Sequence, residues 1–120
     1  MQLPANLDAE RHLLGCVIRD GTSLPDGLIP SDFFEPANQE IASAIIDLAA
    51  RGISPDEVTV TTTLREAGAV ADHILVNDLT TAVGFSVSNA AWAEQIVTSA
   101  RLRRIATANL RIARSEEHTS

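Results

Sequence analysis

The clearest helical pattern in the chain runs from Leu3 to Asp20, LPANLDAERHLLGCVIRD. Asn6 is a good N-cap, and Asp8 falls in the first turn, where a negative charge is stabilised by the helix dipole. Apolar residues recur at helical spacing, at Leu7, Leu13, Leu14, Val17 and Ile18. This spacing predicts a helix with one buried face.

Gly15 lies in the middle of that apolar face. A glycine inside a helix costs about 1 kcal/mol relative to alanine. The sequence therefore predicts that another stretch of backbone packs closely against the helix at Gly15.

Helical patterns continue through the rest of the chain, in residues 22–29, 36–51, 59–67, 72–83 and about 88–113. We expect Thr59 to cap the third of these segments and Phe33 and Phe34 to be buried in the turn before residue 36. The β-branched run Val58 to Thr63 would favour a strand on propensity alone. A helix is favoured because Val60 and Leu64 are four residues apart. The resulting fold class is all-α, a compact bundle of about six helices.

Length and composition set further bounds. A chain of 120 residues with 45% apolar side chains is the size of one domain and can bury a core. The net charge of −7 argues against a protein that coats duplex DNA. All nine basic residues are Arg, and the absence of Lys excludes a phosphate-binding loop of the Walker type and a Schiff-base lysine.

Export and membrane insertion are not indicated. No basic segment precedes an apolar run at the N-terminus, and no window approaches 18 consecutive apolar residues. The single cysteine, Cys16, falls among the apolar residues of the first helix, so we expect a core thiol and a reducing, cytoplasmic environment.

No convergent catalytic or metal-binding pattern is present. His12 and His73 have no metal-ligand spacing, and we expect surface or capping roles for them. Asp8 and Glu10 point in different directions on a helix, so stabilisation of the first turn is favoured over an acid–base pair. We therefore expect no catalytic residue, no metal and no cofactor site in this chain.

The last predicted helix changes its apolar side midway. Up to Ala100 one side is apolar, with Trp92, Ile96 and Val97, whereas further on the aliphatic residues lie roughly opposite. The second half therefore presents a new face, and we assign a candidate interface to Leu102, Ile105, Ile112, Ala113, Arg101 and Arg104. The arginines between Arg101 and Arg114 could contact nucleic acid or an acidic neighbour, or form a solvated helix face.

Residues 114–120, RSEEHTS, continue no pattern. They look like a translated sequencing adapter, so we expect a domain over residues 1–113 followed by a disordered, artefactual tail. The alternative is a natural polar terminus. On either view, His118 is not a candidate ligand.

Several short motifs occur in an order that resembles the N-terminal domain of DnaB-type replicative helicases. They are Pro4, Asn6, Asp8 to Glu10 and Leu14-Gly15; Asp32 to Phe34 with Pro36; Ile41, Ile45 and Leu48 before Gly52; Pro55-Asp56 with Val58-Thr59; Leu64 before Gly68; and Asn89-Ala90 before Ile96-Val97 and Arg104. The match departs from the family before the fifth predicted helix, where Ala71 to Leu75 replaces the usual Gly-Gly and aromatic-Leu pairs.

The resemblance implies that the last helix projects from the bundle as the first arm of a helical hairpin. It also implies a collar that assembles with copies of itself in a hexameric ring and receives primase and a helicase loader. ATP, Mg and the DNA contacts would belong to a separate motor domain. An alternative is a stand-alone phage or plasmid adaptor that binds the host helicase. A small enzyme is the least favoured possibility.

Overall fold

The computed structural model describes residues 5–83 and 89–118, with side chains as far as Arg114. The described segments contain no strand, and the predicted all-α class is confirmed. The elements are α1 (Leu7–Asp20), a short 3₁₀ helix (Pro30–Asp32), α2 (Pro36–Ala50), α3 (Glu57–Glu66), α4 (His73–Thr81) and α5 (Asn89–His118).

Helix α1 is central and contacts each of the other four α-helices. Its residues Leu13, Leu14 and Val17 are fully buried. The predicted close approach at Gly15 is confirmed, because a Cβ atom there would collide with the Leu79 carbonyl oxygen of α4 and with the Val83 side chain. Gly15 therefore sets how near α4 lies to α1.

The helix starts follow the expected capping chemistry, with one correction. The Asn6 side chain accepts a hydrogen bond from the Ala9 amide at 3.1 Å. Helix α3 is capped by Asp56, whose carboxylate accepts from the Thr59 amide at 2.7 Å, so the expectation that Thr59 is the cap is wrong. Thr59 completes the capping box instead, since its hydroxyl oxygen accepts from the Asp56 amide at 2.9 Å.

The predicted helix at residues 22–29 is wrong. The segment is irregular, and Gly27 has a φ of 84° in a turn where the Leu28 amide donates to the Pro25 carbonyl at 3.4 Å. A left-handed glycine directly after Pro25-Asp26 is turn chemistry, and it stops a right-handed helix from propagating. The described part of the chain thus has five α-helices where about six were expected.

Two other expectations need correction. Phe33 is fully buried, but Phe34 is 42% exposed, because the chain turns it away from the core toward α5. Helix α4 starts after its N-cap Asp72 and ends at Thr81, shorter than the expected range 72–83. The sequence also predicts Ser86 or Ser88 as the cap of the last helix, and both lie outside the described residues.

Helix α5 is the longest element, with 30 residues, and its second half extends from the bundle. The chain measures 56 × 32 × 24 Å, which agrees with the predicted projecting arm. The helix continues to His118, so its expected end near Ala113 is wrong. Residues 114–118 include neither Pro nor Gly, and their sequence therefore supplies no stop signal.

Candidate interface on the last helix

The first half of α5 packs against the bundle as predicted. Ile96 and Ala100 are each 1% exposed, and Ala93 is 8% exposed. Trp92 is half-buried, and its ring lies 4.9 Å from the His12 ring, centroid to centroid. These contacts anchor α5 on α1 and leave the second half to extend beyond the bundle.

Aliphatic side chains on the second half are open to solvent. Leu102 is 48% exposed, Ile105 52% and Ile112 57%, and Ala113 is also exposed. Leu110, which was not assigned from the sequence, is 41% exposed. The predicted change of face therefore exists in the structure, and the role of these residues as an interface stays a prediction.

The two arginines assigned to the interface differ in their surroundings. Arg101 is exposed. Arg104 donates from Nη2 to Asp32 Oδ1 at 2.7 Å, although its side chain remains 55% exposed. Arg104 thus already has a partner in its own chain and is only partly available to another molecule.

Arg103, which the sequence analysis treats only as one member of the arginine group of the arm, is 9% exposed and lies at the base of the arm. Its Nη2 donates to the Asp32 carbonyl oxygen at 2.6 Å, and its guanidinium lies 5.3 Å from the Phe34 ring centroid. The Asp32 carboxylate also accepts from the Ile29 amide at 3.1 Å. Asp32 therefore joins the turn before α2 to two successive arginines of α5.

Glu10 has a role that the sequence did not reveal. It is 1% exposed, and its carboxylate accepts from the Phe34 amide at 2.8 Å, the Glu35 amide at 3.4 Å and Asn38 Nδ2 at 3.0 Å. The side chain of α1 thus caps the start of α2. One signal was available: α2 begins with Pro36 after Glu35, a residue type that is not a favoured cap, so the cap had to come from elsewhere.

His12 and His73 lie on different helices, α1 and α4. His12 contacts Trp92, and His73 is the exposed first residue of α4. Within residues 5–83 and 89–114, whose side chains are described, no group of three or more His, Cys, Asp or Glu could hold a metal ion. None of the described helices is long and apolar enough to cross a membrane.

The protein thus has a helical head, residues 5–83 and 89–100, and an arm, the part of α5 beyond Ala100, whose aliphatic side chains are partly uncovered. Uncovered apolar surface of this kind is typical of a site that contacts another chain. The family model for the DnaB-like helicase N terminal domain matches residues 2–108. The chain belongs to this family.

Two bacterial replicative helicases agree with the family match. The replicative DNA helicase DnaB of Treponema pallidum (strain Nichols) is 36% identical over 107 residues, which cover 84% of this chain and 24% of that protein. The corresponding helicase of Mycobacterium leprae (strain TN) is 34% identical over 122 residues, which cover 92% of this chain and 19% of that protein. The chain thus spans a quarter or less of the length of these relatives.

A solved structure shows the same fold. The crystal structure of the N-terminal domain of DnaB helicase from Mycobacterium tuberculosis superimposes with a TM-score of 0.87 at 28% identity. The match covers 99% of this chain and 87% of that chain.

Proposed function

We propose that this chain is the collar domain of a replicative DNA helicase, where it assembles a ring of identical subunits and receives primase and the helicase loader. ATP-dependent unwinding, with ATP, Mg and the DNA contacts, would belong to a motor domain beyond the matched region. The chain itself would carry no catalytic residue and would act in the cytoplasm. Support comes from the family membership and from the names of the relatives.

The observation that carries the proposal is the uncovered aliphatic stripe, defined as Leu102, Ile105, Ile112 and Ala113. Apolar surface left in water costs about 25 cal/mol per Å². A row of half-exposed aliphatic side chains along a projecting helix is therefore a surface that another helix can stabilise by covering it. In a collar, that helix would be the second arm of the hairpin or an arm of another subunit.

The stripe also fits the alternative proposal, a stand-alone phage or plasmid adaptor that would use it to bind the host helicase. The coding sequence after Ala113 separates the two proposals. An in-frame second helix, a linker and a Gly-x-x-x-x-Gly-Lys-Thr/Ser loop would support the collar. A stop codon at that point would support the adaptor.

The interface itself can be tested by sedimentation of the purified chain over a range of concentrations. We expect self-association that is weakened by Ile105→Asp, because a charge in the middle of the stripe cannot be buried without a partner. Ile74→Asp is the matched control, since it makes the same change at a residue of α4 that is 58% exposed and lies away from the arm. Trp92→Ala should instead destabilise the monomer by about 3 kcal/mol, as a large-to-small change at the docked half of α5.

Two results would reject the interface assignment. One is a wild-type chain that stays monomeric at every concentration tested. The other is an Ile105→Asp variant that associates as strongly as the Ile74→Asp control.

A further inference from the structure

A solvent-open notch of about 420 Å³ lies between the turn at residues 30–34 and α5. Its floor includes the buried Phe33 and the small residues Ala100 and Ala108, and the exposed ring of Phe34 forms one wall. Arg103, Arg104 and Arg111 also line it. This notch is separate from the aliphatic stripe.

The notch is positive on an otherwise acidic protein. Among the residues of the described ranges that line it, three are Arg and none is Asp or Glu. Residues 5–83 contain thirteen acidic residues and four arginines, whereas residues 101–114 contain five arginines and no acidic residue. The notch is therefore the place where this chain would attract an anionic group.

Two of the three arginines can reach a ligand. Arg103 is occupied by its hydrogen bond to Asp32 and its contact with the Phe34 ring. Arg104 is half-exposed and donates to Asp32 from one nitrogen only. Because a guanidinium has five N–H donors, Arg104 can still donate to a ligand. Arg111 is exposed and forms no ion pair with any described residue. Arg104 and Arg111 are seven residues apart, so they lie on the same side of α5, about 10 Å apart along its axis.

We propose that this notch binds an acidic segment of a partner protein. One carboxylate would pair with Arg104 and a second, about 10 Å away, with Arg111, since the planar guanidinium matches carboxylate geometry. An apolar side chain between the two carboxylates would pack over Ala108 against Phe34. Such a segment in the polyproline II conformation rises about 3.1 Å per residue with three residues per turn, so the two acids of the pattern acid-x-apolar-acid lie on one side about 9 Å apart.

A carboxylate ligand is favoured over nucleic acid for two reasons. The notch offers one exposed aromatic ring, whereas single-strand platforms stack successive bases on several rings. The acidic head beside the arm would also repel a continuous phosphate backbone. This proposal does not depend on the collar role, because it uses a different side of α5.

The test is fluorescence anisotropy with the full chain and a labelled peptide, Gly-Asp-Ser-Leu-Asp-Gly. The control peptide carries Asn in place of both Asp. We expect Arg111→Glu to weaken binding of the acidic peptide by about tenfold or more, because it replaces attraction by repulsion. Arg65→Glu makes the same charge change at an exposed residue of α3, outside both the notch and the candidate interface, and we expect an effect within about twofold. Phe34→Ala should also weaken binding, with thermal unfolding of each variant measured to confirm that it is folded.

Three outcomes would overturn the proposal: equal weakening by Arg65→Glu and Arg111→Glu, equal binding of the Asn peptide, or no binding of the acidic peptide at millimolar concentration. A labelled dT oligonucleotide, tested in parallel, shows whether the notch binds phosphate groups instead of carboxylates. Its binding through Arg111, without binding of the peptide, would show a phosphate-binding surface and would also overturn the proposal.

Discussion

At the residue scale, two buried carboxylates connect segments that are distant in sequence. Glu10 of α1 accepts hydrogen bonds from residues 24 to 28 positions away. Asp32 accepts from Arg104, 72 positions away, on its carboxylate, and from Arg103, 71 positions away, on its backbone carbonyl. Together they fasten the turn before α2 to both α1 and α5, so each is a point where one substitution loosens several elements.

Replacing Glu10 with Ala should destabilise the chain by about 2–4 kcal/mol, because the Phe34 and Glu35 amides and the Asn38 side chain would lose their acceptor in a buried place. Asp8→Ala is the matched control. Asp8 lies exposed in the same turn, and its loss should cost no more than about 1 kcal/mol. Urea unfolding of both variants measures the difference, and equal effects would refute the capping role of Glu10.

Gly15→Ala tests the close approach of α4. In an open helix this change would stabilise by about 1 kcal/mol. Here the added methyl group meets the Leu79 carbonyl oxygen and the Val83 side chain, so we expect a net loss of about 1–3 kcal/mol. Ser43→Ala on the exposed side of α2 serves as the comparison, because it raises helix propensity without crowding. A Gly15→Ala variant more stable than wild type would contradict this packing.

At the scale of elements, α5 consists of two parts with different surroundings. The part up to Ala100 is held by the core, whereas the arm beyond it is held at its base by Arg103 and Arg104 through Asp32. Past this point most side chains of the arm are exposed. The arm therefore depends on its own helical hydrogen bonds, or on a partner, for its stability.

Deletion of residues 115–120 should leave the melting temperature unchanged within error. These residues are polar and follow an exposed part of the arm, and surface changes of this kind seldom exceed about 0.5 kcal/mol. Thermal unfolding followed by circular dichroism measures the melting temperature of the shortened and the full chain. A fall of several degrees would show that the segment packs against the protein and would argue against an artefactual tail.

At the scale of the whole molecule, the charges separate into an acidic head and a basic arm. Residues 101–114 carry five of the nine arginines, while thirteen of the sixteen acidic residues lie in residues 5–83. Such an arrangement favours association through the arm, with a rate that falls as salt is added.

The purified chain should release no phosphate from ATP, since it has no lysine for a Walker-type phosphate loop. The far-UV spectrum of the same sample should show more than half of its residues in helices, well above the usual third. Together the two measurements test for a folded helical domain without motor activity. Nucleotide turnover that follows the chain through every purification step would contradict the proposal.

Sequence reasoning succeeded where the determining interactions are local. The predicted helix at residues 59–67 is confirmed as α3 because Val60 and Leu64 are both buried on one side of it, despite its β-branched composition. The change of face on α5 was also visible, since it depends on angles along a single helix. The predicted helix at residues 22–29 is wrong because Pro25 and Gly27 form a turn there. Apolar spacing alone does not predict this turn.

The sequence by itself thus determined the all-α class, four of the five later helices, the close contact at Gly15 and the exposed stripe on the arm. Only the tertiary structure decided that Glu10 caps another helix, that Phe34 faces α5 and that Arg103 is buried against Asp32. The reason is physical. Helical periodicity and capping act over three or four residues, whereas these contacts join residues 24 to 71 positions apart, which meet only after the helices have packed.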